Sequence, residues 1–132
     1  MSTSLIDLPF IAVAGELDGA GLFWQPVIGD EVSFRENPEQ VSILVDPDGM
    51  TPRELRETFI WLPTVEQLVI ALEARQAILF HAGLEMERGI LSYKTVIQSR
   101  SGLIESLGDS LRLSVGVGLR DLLYLQNRKN LN

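Results

Sequence analysis

The chain contains one histidine, His81, and an imidazole beside a carboxylate is the commonest acid–base pair in proteins. The residues after Gln76 alternate with a period of two, which places Glu85 and Glu87 on the same strand face as His81. At about 3.3 Å per residue, His81 and Glu85 would stand about 13 Å apart, too far to share a metal ion unless the strand bends at Gly83. The expectation is a half-exposed histidine flanked by solvated carboxylates. A pocket of His81, Glu85 and Glu87 is the constellation from which a small enzyme or ligand-binding protein would be built.

Other chemistries fail on residue type or spacing. The absence of cysteine removes thiol catalysis, disulfide frameworks and cysteine-ligated metals, and a lone histidine removes His-rich metal sites. Ser110 in Gly108-Asp109-Ser110-Leu111-Arg112 has half of a nucleophile elbow but lacks its second glycine, and a helix cap explains Asp109 and Ser110 more simply. Gly116-Val117-Gly118 and Gly19-Ala20-Gly21 lack the third glycine of a dinucleotide fingerprint. Around Asp46-Pro47-Asp48-Gly49, a calcium loop would need ligands where Leu44 and Leu55 stand. No catalytic residue, metal or cofactor is expected.

What remains points to surfaces. Trp24 and Trp61 read first as core residues, and the lesser reading is that they anchor a partner, since Trp is enriched at interfaces. On a C-terminal helix, Ser110, Ser114 and Gly118 would form a small-residue face whose glycine costs about 1 kcal/mol relative to alanine, so close packing is its expected compensation. These five residues are the candidate interface, most simply of a two-fold homodimer. Charge offers a weaker alternative. Residues 1–50 carry nine acids against Arg35 alone, whereas from Arg88 onward seven bases face three acids. Lys94, Arg100, Arg112 and Arg120 would serve a nucleic-acid accessory factor, but a net charge of −7 makes nucleic acid an unfavoured partner.

These residues must be positioned by a single α+β domain over 1–132: an antiparallel sheet drawn from both ends of the chain, with two central helices (about 52–76) and a C-terminal helix packed on one face. Phe10–Ala14, Leu22–Ile28, Glu31–Phe34 and Val41–Val45 read as strands. Thr51-Pro52-Arg53-Glu54 is a capping box with proline in the first turn, and Thr64 with Gln67 is a second one. A two-residue turn at Arg88-Gly89 would set Leu84 opposite Tyr93 and Met86 opposite Leu91, a bulge with Gly89 in the left-handed region would equally well shift that register, and a third strand follows over Leu103–Leu107. Residues 111–119 alternate like a strand yet also carry a helical stripe at Leu111, Val115, Leu119 and Leu122. We read a helix from about Ser110 to Gln126, with the strand as alternative.

Leu5–Ala14 ends in a small-x-small triplet, but with no Lys or Arg before Arg35 and with Asp7 and Pro9 inside it, a strand is the better reading than a signal peptide. No stretch approaches the length of a membrane helix, and a cytoplasmic location is expected. The functional expectation is a non-catalytic interaction or assembly protein, with the His81 pocket as rival.

Overall fold

The computed structural model describes residues 7–130, so the signal-peptide reading of Leu5–Ala14 begins outside the described residues. Among the described residues it is an α+β fold of four helices and two small antiparallel sheets. The chain falls into two compact units that divide between Pro63 and Thr64, and each has its own sheet. The strands expected to share one sheet therefore do not.

The first unit opens with helix α1 (Leu8–Gly19), where the short apolar run at Phe10–Ala14 suggested a strand. Asp7 Oδ1 accepts the Phe10 N–H at 3.1 Å, and Pro9 sits in the first turn, where it needs no donor. Phe10, Val13, Ala14 and Leu17 are buried at helical spacing, a period that a five-residue window hides. Leu22–Ile28 is irregular rather than a strand: Pro26 lacks an N–H, and the Asp30 carboxylate draws the Val27 N–H into a turn at 3.0 Å.

Strand β1 (Glu31–Phe34) pairs antiparallel with β2 (Val41–Ile43) on one side and β3 (Phe59–Trp61) on the other. Between β2 and β3 lies helix α2 (Pro52–Thr58), whose capping box is complete: Thr51 accepts from the Glu54 N–H at 3.1 Å and Glu54 accepts from the Thr51 N–H at 3.0 Å. The helix stops at Thr58 because Phe59, Ile60 and Trp61 favour extended backbone and find a ladder on β1. The two central helices are thus separated by a strand.

The second unit begins with α3 (Val65–Ala74), capped by Thr64, which accepts the Gln67 N–H at 3.1 Å while Gln67 accepts the Thr64 N–H at 2.9 Å. Its sheet runs β4 (Ile78–Glu87), β5 (Ile90–Ser99), β6 (Gly102–Gly108), all antiparallel. The register sets Leu84 against Tyr93 and Met86 against Leu91. Arg88 and Gly89 both take positive φ, 54° and 78°, so the hairpin closes with the mirror-image two-residue turn whose twist matches the strands. Residues Leu111–Asn130 form the single helix α4, which packs on β5 and β6. No helix among the described residues is long and apolar enough to cross a membrane.

Candidate functional site

The two tryptophans lie in the first unit. Trp24 is 5% exposed, stacks on Trp61 with ring centroids 6.4 Å apart and planes 11° from parallel, and donates its indole N–H to Asp30 Oδ2 at 2.9 Å. Val32, Leu44 and Leu55 complete this core, with Met50 and Phe59 packed against it. The pair is the centre of a small sheet's core. Trp61 Nε1 is buried with no hydrogen-bond partner among the described residues.

The small-residue stripe lies in the second unit. Ser110 is a cap, accepting the Leu113 N–H at 3.0 Å. Ser114 is fully buried: its hydroxyl meets Thr95 Oγ1 at 2.7 Å, and its carbonyl accepts from Ser106 Oγ at 2.7 Å. A Cβ at Gly118 would come within 2.6 Å of Ile97 Cδ1 and 3.0 Å of Ser106 Oγ. The close packing that the stripe demanded is therefore against β5 and β6 of the same unit. Trp24, Ser114 and Gly118 are occupied internally.

His81 meets its carboxylate after all. Nε2 lies 2.8 Å from Glu85 Oε2, although the two residues are separated along a strand. The ring lies along the strand over Gly83, where an added Cβ would stand in ordinary van der Waals contact with it at 3.5 Å. A register shift between Leu79 and His81 adds a local kink. Both side chains remain nearly half exposed, 44% and 45%. Glu87 is on the same strand face but instead lines a surface concavity of about 550 Å³ with Lys94, Glu105, Leu107 and Asp121, and His81 is not among its lining residues. The expected trio does not converge. Among the described residues, no group of three or more carboxylate and histidine side chains is placed to hold a metal ion.

The basic residues of the C-terminal half mostly have partners. Lys94 pairs with Glu105 at 3.5 Å; Arg120 pairs with Asp121 at 3.1 Å and lies 5.9 Å from the Tyr124 ring centre. Arg100 lies exposed in the β5–β6 turn.

Sequence reasoning overlooked the apolar end of the hairpin. By register, Leu84 and Met86 of β4 and Leu91 of β5 share the sheet face that α4 covers at Thr95 and Ile97. The first turn of α4 lies against Gly108, which stands opposite Tyr93, so the hairpin runs on past the start of the helix. Leu84, Met86 and Leu91 are consequently 55%, 67% and 56% exposed, with Ile90 beside them at 69%. The alternating pattern puts Leu84, Met86 and Leu91 on one apolar face, and the point at which α4 begins leaves that end of it uncovered. No family model, curated protein or solved structure matches this chain.

Proposed function

We propose that the protein is a non-catalytic interaction or assembly module that works as a homodimer, with the apolar end of the β4–β5 hairpin as its contact surface. The observation that carries this reading is the exposure of Leu84, Met86 and Leu91 side by side on one face at the end of one sheet. Large exposed apolar clusters mark association sites far more often than isolated surface leucines do. The His81–Glu85 contact favours the rival reading, a small enzyme, by supplying a histidine–carboxylate pair. Against it stands the near half-exposure of both groups, since acid–base catalysis draws on groups shielded from water and positioned over a substrate.

The test is light scattering at tens of micromolar, where the self-associating reading expects a mass well above the 14.7 kDa of one chain. A Met86→Lys, Leu91→Lys variant should then return to the single-chain mass with its circular dichroism unchanged. A wild-type protein that stays at 14.7 kDa across this range overturns the homodimer.

A further inference from the structure

β4 is the longest strand at a sheet edge among the described residues, and it carries neither of the usual deterrents to edge pairing, a proline or a lysine. Its one irregularity, the register shift between Leu79 and His81, lies near its beginning and leaves His81–Glu87 regular. In a two-residue hairpin the residues flanking the turn, here Glu87 and Ile90, exchange hydrogen bonds, and the bonded pairs then alternate along the ladder. His81, Gly83 and Glu85 therefore bond to β5. Ala82, Leu84 and Met86 direct their N–H and C=O groups outward.

We infer that the β4 edges of two copies pair antiparallel about Gly83, joining two three-stranded sheets into one of six strands. The proposal rests on the homodimer reading above and places the joint on the β4 edge, with Leu84 in it and Leu91 one strand away. About Gly83, Ala82 of one copy stands opposite Leu84 of the other, and both are outward-bonding residues, so the hydrogen-bond phase agrees. On the opposite sheet face the same register sets His81 against Glu85 of the second copy and Glu85 against its His81. The strand is thus complementary to itself, an imidazole facing a carboxylate on each side of the axis, and the pair now closed within one chain at 2.8 Å can be exchanged across it. Gly83 meets Gly83 with no side chains to clash.

The other edge of this sheet fits less well. Pairing β6 with itself in bonding phase about its middle would set Glu105 against Glu105, and like charges directly opposite destabilise a ladder. A second copy of β4 is therefore the occupant that the pattern of side chains along the edge favours.

The chain has no cysteine, so an introduced one reports on proximity without interference. Residues facing each other in a non-bonded antiparallel pair have Cα atoms about 4.5 Å apart, within the disulfide range of about 4.4–6.8 Å. Gly83→Cys should cross-link to a covalent dimer on air oxidation, whereas Glu87→Cys, well off the axis, should not. A double variant, His81→Cys with Glu85→Cys, should cross-link as well, because the two positions are too far apart along one strand to bridge within a chain. Glu85→Lys should weaken association roughly tenfold, and adding His81→Glu should recover it. A dimer by light scattering with no cross-link from either cysteine variant overturns the edge pairing while leaving self-association in place. A monomer overturns both. Cross-linking of Gly83→Cys together with recovery by the charge swap supports the pairing.

Discussion

Gly15 and Gly118 both lie inside helices, α1 and α4, and the same replacement by alanine should move stability in opposite directions at the two sites. Alanine is favoured over glycine in a helix interior by roughly 0.5–1 kcal/mol, because the glycine backbone loses more freedom on folding. At Gly15 nothing lies within 4 Å of the added Cβ, so Gly15→Ala should gain that amount in full. At Gly118 the Cβ would stand 2.6 Å from Ile97 Cδ1 and 3.0 Å from Ser106 Oγ. Ile97 is fully buried, and Ser106 is held by its bond to the Ser114 carbonyl. Overpacking of this kind costs roughly 1–3 kcal/mol, and disturbing the Ser106 bond adds about 1 kcal/mol. Set against the helix gain, Gly118→Ala should lose about 1–3 kcal/mol.

Urea denaturation reads both effects as shifts in midpoint at constant slope. Both tryptophans lie in the first unit, so their fluorescence follows Gly15→Ala, while ellipticity at helical wavelengths follows α4. A Gly118→Ala midpoint raised as much as that of Gly15→Ala would refute the packing of α4 on Ile97 and Ser106.

Three further outcomes are expected. Thr64→Ala should cost roughly 0.5–2 kcal/mol by thermal or urea denaturation, since the cap satisfies a first-turn N–H of α3, and an unchanged midpoint would show that the cap is not formed. Trp61→Phe deletes the unpartnered indole N–H, a gain of roughly 1–3 kcal/mol that offsets the packing lost with the smaller ring, so the midpoint should change little, and a large loss would count against an unpartnered N–H. The hydrogen bonds to Glu54 from the Thr51 backbone N–H and then from the Thr51 side chain hold its carboxyl below the usual range, so its contribution is present above the unfolded-state value and fades as the pH falls through the folded one. Glu54→Gln, which can still accept the Thr51 N–H, should therefore remove part of the acid dependence of α2 helicity below about pH 4.5, and an unaltered acid limb would count against the capping box.

Local features of this fold were legible in the residues because their causes are local. Both capping boxes, the Arg88-Gly89 turn, the Leu84–Tyr93 and Met86–Leu91 register and the C-terminal helix all follow from interactions spanning a few residues. Such interactions are present in the chain before any long-range contact forms. Elements that depend on a distant partner were not legible. β3 exists because β1 offers it a ladder, and the run at Phe10–Ala14 becomes helix because Asp7 caps it and its buried stripe extends to Leu17. The candidate site divides the same way. Alternation placed His81 and Glu85 on one face, but their contact at 2.8 Å needed side chains lying along the strand over Gly83, a reach that Cα spacing does not measure. Trp24, Trp61, Ser114 and Gly118 were recognisable as residues that must pack closely, and only the tertiary structure decided that their partners lie within their own units. The exposed end of the hairpin was decided last of all, because it depends on where α4 starts relative to β4 and β5, a difference between lengths of distant elements that no single stretch of sequence encodes.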